Sequence, residues 1–411
     1  MGTDLDRLFF REDAADDAAK GVLNVVRQWA EREVISRRQE YREHYETLFR
    51  EKRKNLELDI GLQRLTLPEN RGGFGWDGTT DCPRVTSVLL ETGKADAAEG
   101  FMLAVTYVFL ALLTRVPAQS ERALSSFAPR YGGEGLQTTA LVLPAAGFSD
   151  VETPLFGGRA MTAVLETAGN ATSLTGRNLR PCACGAIADS FGIAAADKEG
   201  RAVWAVIIDG EGVQRGPEVR TTGLSACRNA EITLERISVP EGFILDREGI
   251  LEETYTFLNA YLGAVSLGAA MDFFEILNDW SENRVIKGGT PMKNDQLCAS
   301  VLADVAMEIL LGRILLSELT GIMAAPEQWE GDRLEKLFTY GQIIGSRVQS
   351  AALRAMNRGM ELMGSAGYAR EWHAEKHWRD IKTIQSIVAG VGADVPVKMQ
   401  AARFFYGSRG V

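Results

Sequence analysis

The sequence is short of the side chains from which disulfide frameworks, metal centres and hydrolytic triads are made. Five cysteines and three histidines are spread over 411 residues, too few for a cross-linked secreted scaffold. His373 and His377 stand one helical turn apart, as two metal ligands would, but no third ligand accompanies them and they read as a surface pair. With only His44 besides, a Ser/His/Asp arrangement has little to draw on. Cys182-Ala-Cys184 reads as packed or idle thiols rather than a redox pair. Excess positive charge is missing too: a formal net charge of −10 argues against nucleic acid or an anionic membrane as partner. The longest apolar run, residues 101–113, is broken only by Thr106. As a helix it would reach ~20 Å against a bilayer core of ~30 Å, so it reads as a buried helix and not a membrane span. The N-terminal residues carry no apolar signal-like region, which together with free thiols predicts a cytoplasmic protein.

What is present is an ordinary globular composition, 45% hydrophobic and 24% charged, in a chain long enough for two or three domains with sizeable cores. Residues 8–60 alternate Glu with Arg and Lys at helical spacing and predict helices with a solvated face. Residues 65–75, LTLPENRGGFG, form a loop signal. Helical segments follow at roughly 80–97, 99–115 and 118–131. From about residue 137 the pattern changes to short apolar runs at 139–143, 160–165, 191–195 and 202–208, separated by Gly, Asp and Asn, which are strands and turns. Between Leu234 and Ile237 the alternation slips by one position, predicting a β-bulge. Asp209-Gly210-Glu-Gly212 lacks the third glycine and following helix of a dinucleotide fingerprint and reads as a hairpin turn. Beyond about residue 247 the helical period returns, with Val301, Leu302, Val305, Ala306, Ile309 and Leu310 on one stripe. The expected division is 1–135 all-α, 136–243 antiparallel β and 244–411 helical bundle.

Residues 359–390 carry the most specific signal. Helix-period apolar positions run to Leu362 and Met363, stop at Gly364-Ser-Ala-Gly367, and are followed by Arg379-Asp380 on a second helix. A helix ending in a Gly-rich turn leaves backbone groups bare and lets another molecule approach. In this order the residues resemble the C-terminal signature of the acyl-CoA dehydrogenase family. There a helix runs into Gln-x-x-Gly-Gly-x-Gly, then Arg-Asp, then Tyr-Glu-Gly-Thr. Residues 65–75 resemble the family's Ile-Pro-Glu-x-x-Gly-Gly-x-Gly turn, and Val239-Pro-Glu its exit from the β-domain. The resemblance covers nearly the whole chain. It implies an α+β multidomain fold: an N-terminal helical domain, a middle β-barrel domain, and a C-terminal four-helix bundle that packs into a tetramer.

The resemblance also implies a chemistry, and the residues that would perform it are largely replaced. The family desaturates an acyl-CoA thioester, a glutamate taking the α-proton while hydride leaves to FAD. The usual position of that glutamate is Ala389 here, and the alternative position, near 257–259, holds Phe257, Leu258 and Asn259, with Glu253 the nearest carboxylate. Asn259 also stands where relatives carry a substrate-binding arginine. The flavin motif Thr-Glu-Pro-x-x-Gly-Ser-Asp becomes Leu143-Pro144-Ala-Ala-Gly147-Phe-Ser149-Asp150, and Trp-Ile-Thr-Asn becomes Arg180-Pro181-Cys182-Ala183. Contacts that the family lends to a neighbour's FAD are better kept, in Arg284, Gly288, Pro291 and Gln296, with Gly364 at the helix end. Arginine at such a place suits phosphate, which it holds bidentately. Glu361 replaces a family glutamine, and at ~5 Å from a phosphate it would repel by ~3 kcal/mol at an effective dielectric of ~20. The resemblance thus marks Arg284, Gln296, Gly364, Ser149 and Cys182 as candidate cofactor-binding residues, with no catalytic residue and no metal ligand. It implies the degenerate partner of a heteromeric FAD enzyme, paired with a homologous subunit and passing electrons to an electron-transferring flavoprotein. Two alternatives stay open: an independent flavoenzyme performing elimination or oxygenation on a thioester, and a non-catalytic scaffold.

Overall fold

The computed structural model describes residues 17–115, 117–145, 153–169, 171–286 and 288–407. The chain opens with helices α1 (Asp17–Trp29), α2 (Arg38–Glu43), α3 (Tyr45–Lys54), α4 (Cys82–Ala95), α5 (Ala97–Thr114) and α6 (Pro117–Tyr131). Strands follow: β1 (Thr139–Val142), β2 (Leu155–Phe156), β3 (Arg159–Ala160), β4 (Ala163–Ala168), β5 (Ala171–Leu179), β6 (Ser190–Ala196), β7 (Ala202–Ile208), β8 (Val213–Val219), β9 (Asn229–Ser238) and β10 (Ile244–Leu245). The chain closes with α7 (Ile250–Asn283), α8 (Gln296–Met323), α9 (Gly331–Met363), α10 (Ala374–Val388) and α11 (Val391–Tyr406). Helical regions therefore flank a central sheet, as the sequence predicts.

Burial follows the patterning. Every residue of α5 from Ala97 to Leu113 is buried, and α7 is buried along most of its length against α4, α5 and α9. These two helices are long and apolar enough to cross a bilayer, yet both lie in the protein interior. The sheet has two apolar faces, because side chains alternate along a strand. Ala194, Trp204 and Val206 join the helical core, whereas Phe191, Ile193, Val203, Ala205 and Ile207 form a second core within the β-region.

Three local expectations change. The β-region is a mixed sheet, in the order β10-β7-β6-β4-β5-β9-β8 with β1 also on β6; β1 and β4 run parallel to β6 and the other pairs are antiparallel. The turn at Asp209–Gly212 joins β7 to β8, but those strands are not neighbours, so it is a crossover turn and not a hairpin. The polar N-terminal helices are not wholly solvated. Arg53 is buried with Glu57 (Nε–Oε1 2.7 Å), and Lys52 is buried with Glu33 (2.8 Å). Alternating charge has the same appearance whether the partners face water or each other. The bulge is where the slip in alternation puts it: Leu174 and Gly176 of β5 face Ile237 and Leu234, leaving one extra residue on β9.

Candidate functional site

The positions that the resemblance assigns to a catalytic carboxylate hold no acid in this chain and are buried. Ala389 caps the end of α10, buried, its carbonyl held by the Gln385 amide at 2.8 Å. Phe257 is stacked on Trp329 with centroids 4.6 Å apart, Leu258 is fully buried, and Asn259 turns its amide back onto the Tyr255 carbonyl at 2.8 Å. Glu253, the nearest acid on the same helix, is wholly buried and clamped by two guanidinium groups. Arg115 donates to it twice at 2.9 Å, and Arg247 at 2.9 and 2.5 Å. A carboxylate held bidentately from both sides has its lone pairs committed and cannot swing toward a substrate proton. It is a structural ion cluster.

The strand matched to the family's flavin contacts is similarly committed. Arg180 points outward, its side chain 85% exposed and paired with Glu231 at 2.9 Å. Pro181 has no N–H to give. The Cys182 N–H donates to the Leu141 carbonyl at 2.6 Å and its carbonyl accepts from Leu141 N–H at 3.3 Å, so both backbone groups are spent on β1. Its thiol is buried, and burial, with Cys184 beside it, pushes the pKa up to about 12. A neutral, weakly donating thiol does not replace the hydroxyl that relatives offer at this position. The Cys184 N–H goes to Asn229 Oδ1 at 3.0 Å. Isoalloxazine carries several carbonyl acceptors, and the Cys182 and Cys184 N–H groups of this segment are already committed within the protein. Ser149, the fifth candidate, lies outside the described residues. All five thiols are free, and Cys82, Cys182, Cys184 and Cys227 are buried, as packed cysteines would be.

The second set of candidates is arranged differently. Arg284 follows the end of α7, exposed, and among the described residues no carboxylate pairs with its side chain. Its carbonyl accepts from Met292 N–H at 2.7 Å, and Ile286 N–H donates to the Thr290 carbonyl at 3.0 Å, closing a tight loop that presents the guanidinium to solvent. Gln296 opens α8, exposed; the preceding Asp295 caps that helix by accepting from Leu297 and Cys298 N–H at 3.0 and 3.1 Å. Gly364 ends α9 at φ +60°, ψ −136°, a conformation a side chain would strain. A Cβ there would meet nothing within 4 Å, so backbone geometry and not space calls for glycine. Glu361, expected to repel phosphate, leans toward Arg358 at 3.6 Å, which offsets part of that repulsion. Arg284, Gln296 and Gly364 face outward, and among the described residues no side-chain partner holds Arg284 or Gln296.

Two clusters escaped the sequence reading. His373 and His377 are buried, not a surface pair: their rings meet edge-on at 5.0 Å, and His377 Nε2 bonds Asp272 Oδ2 at 2.7 Å, with Arg38 on the other Asp272 oxygen. Burial, then the charges of His377 and Lys376, pull the His373 pKa well below its usual value. No group of three or more metal-binding side chains exists among the described residues. The second cluster is the β2–β3 hairpin, which lays Phe156 and Arg159 on Tyr255 of α7. The only sequence signal for it was Gly157-Gly158, a hairpin dipeptide between segments too short to show a period.

The likeness to known proteins agrees with the fold. Residues 260–389 match the family model described as Acyl-CoA dehydrogenase, C-terminal domain. Over 383 residues the chain is 24% identical to the cyclohex-1-ene-1-carbonyl-CoA dehydrogenase of Syntrophus aciditrophicus (strain SB), covering 89% of this chain and 85% of that one. The structure of butyryl-CoA dehydrogenase from Megasphaera elsdenii superposes with a TM-score of 0.77 at 19% identity, over 96% of this chain and 100% of that one. A nitroalkane oxidase superposes with a TM-score of 0.80 at 13% identity, over 98% and 100%, so the fold by itself does not fix the chemistry. Fold, motif order and these matches together support the acyl-CoA dehydrogenase family, with the C-terminal domain of that family matched over residues 260–389.

Proposed function

We propose that this chain is the degenerate partner in a heteromeric, FAD-dependent acyl-CoA dehydrogenase that desaturates an acyl thioester. The observation that carries this reading is a split in the site. Among the described residues, the Cys182 and Cys184 backbone groups that would face a flavin in this chain's own pocket are spent inside the protein, whereas Arg284, Gln296 and Gly364 are exposed and no side-chain partner holds Arg284 or Gln296. Such residues are of use only to a second molecule, and a homologous subunit that carries FAD and its own glutamate is the partner they suit. In that assembly Arg284 holds a phosphate oxygen pair of the partner's FAD, and electrons leave to an electron-transferring flavoprotein. The relatives' names support a CoA thioester as the substrate of the complex. The exposed apolar faces of α8 and α11 support a subunit contact through the C-terminal helices.

The test is colour. Purified alone, the chain is expected to be colourless; co-expressed with a homologous FAD-carrying acyl-CoA dehydrogenase subunit of the same organism, it should co-purify with flavin and a dye-linked acyl-CoA dehydrogenase activity. Arg284→Ala should lower the flavin content of that complex without dissociating it. Stoichiometric FAD on the isolated chain would overturn the reading in favour of an independent flavoenzyme.

A further inference from the structure

The β2–β3 hairpin brings a cation against a cluster of aromatic rings, where among the described residues no carboxylate pairs with it. Gly157 and Gly158 form its two-residue turn, both with positive φ (+53° and +80°), the conformation that holds a tight hairpin. Phe156 then lies directly opposite Arg159, so the two side chains share one face of the ribbon. Reciprocal 2.8 Å backbone hydrogen bonds between Ala160 and Ala145 tie the hairpin to the segment after β1. On the shared face, Phe156 stacks on Tyr255 (5.8 Å, 9°), and the Arg159 guanidinium sits 4.7 Å from the same ring. Phe338 of α9 closes the other side, 5.9 Å from Phe156.

Arg159 is only 5% exposed, yet no carboxylate pairs with it among the described residues, and its one partner is the tyrosine ring. Among the described residues the other buried cations are paired: Arg53 with Glu57, Lys52 with Glu33, Lys376 with Asp96 and Asp380. Ring attraction recovers only part of the cost of dehydrating a guanidinium, and the planar fork keeps unused donors matched to two oxygens. The walls are apolar and the site carries one positive charge. A monoanion with an apolar body balances it; a phosphate dianion would not. We infer that Arg159, Tyr255, Phe156 and Phe338 form a binding site for a carboxylate carried on a small apolar body. The carboxylate belongs either to a free organic acid or to the far end of a dicarboxylic acyl thioester. The site stands whether or not a partner subunit supplies a flavin.

Isothermal titration of the full-length chain tests it in two arms: benzoate and hexanoate, with benzamide as the neutral control, and glutaryl-CoA against butyryl-CoA. Saturable one-to-one binding is expected in one arm, and the arm that responds identifies the source. Arg159→Gln should weaken that binding at least tenfold, and Arg159→Lys, which keeps the charge without the fork, should fall between. A second readout separates anchor from strut. Removing an uncompensated buried cation should raise the melting temperature of the ligand-free protein, whereas removing a structural arginine should lower it. The inference is overturned if Arg159→Gln melts lower than the parent. It is equally overturned if inorganic phosphate or FAD binds in an Arg159-dependent way and the carboxylates do not, or if no probe binds in that way.

Discussion

Glu99, near the start of α5, shows how one side chain sets the pH behaviour of the N-terminal helices. It is buried, and neither carboxylate oxygen meets a hydrogen-bond partner among the described residues. Burial first, and the Glu57 carboxylate second, hold its pKa well above the usual carboxylate range, with Arg53 opposing. The folded protein therefore keeps a proton on Glu99 that the unfolded chain releases above its ordinary value of 4.5. In that window the unfolded state binds fewer protons, so stability falls as pH rises, by up to about 1.4 kcal/mol per pH unit for one proton. His373 works from the other side. Its pKa is depressed, so below 6.5 the unfolded chain takes up a proton that the folded one refuses, and stability is lost as pH falls through that value. Glu99→Gln keeps the shape and removes the ionisation. It should stabilise the protein near neutral pH and flatten the alkaline limb of a plot of urea midpoint against pH, leaving the acid limb in place. An unchanged alkaline limb would mean that Glu99 is ionised in the folded state.

At the scale of the element, the turn at residues 65–75 separates two reasons for glycine. Gly73 N–H donates to the Pro68 carbonyl at 3.1 Å, and Gly75 N–H to the Leu67 carbonyl at 2.8 Å, folding the segment onto itself. A Cβ on Gly73 would meet the Leu67 carbonyl oxygen at 2.0 Å; a Cβ on Gly72 meets nothing within 4 Å, but Gly72 has φ +82°. Gly73→Ala must therefore prise the turn open and should cost about 3 kcal/mol. Gly72→Ala adds only left-handed strain and should cost about 1 kcal/mol. Chemical denaturation of the two variants measures the difference, and equal losses would show that the turn yields freely. This turn was legible in the sequence because backbone geometry writes itself into glycine spacing. The helices were legible through their period, and the bulge at Leu234–Ile237 through a slip in alternation. Strand order was not, since nothing local in Asp209–Gly212 tells whether the next strand pairs with the last. The candidate site was legible only through the resemblance, as positions such as Ala389, Pro181 and Cys182 where the family's motif residues are replaced. Its new contents were not: Arg159 is one arginine among many until a two-residue hairpin carries it onto Tyr255. Likewise His373, Arg53 and Glu57 have sequence surroundings that do not distinguish a buried network from a wetted surface.

The whole molecule shows a face that a single chain leaves bare. On α8, Val305, Ile309 and Leu316 pack inward, whereas Met307, Leu311 and Ile314 are exposed at 53%, 54% and 48%. Their spacing of four and three residues aligns them on one stripe. On α11, Val391, Val395 and Met399, spaced by four and four, form a second exposed row. Single exposed apolar residues are commonplace, but aligned rows on helices of the C-terminal region are what a subunit contact would cover. In the proposed heteromer these rows meet the corresponding helices of the homologous subunit, and Arg284, between α7 and α8, lies beside the same contact in sequence. Leu311→Asp with Ile314→Asp places two charges on the stripe without disturbing the inward packing. The monomer's unfolding free energy should change by no more than about 0.5 kcal/mol, as for surface positions. The mass of the co-expressed complex by analytical ultracentrifugation should fall, and its flavin content with it, because the lent arginine leaves with the subunit. A complex of undiminished mass would exclude this stripe as the contact; a smaller complex that kept its full flavin would show that the arginine is not lent at all.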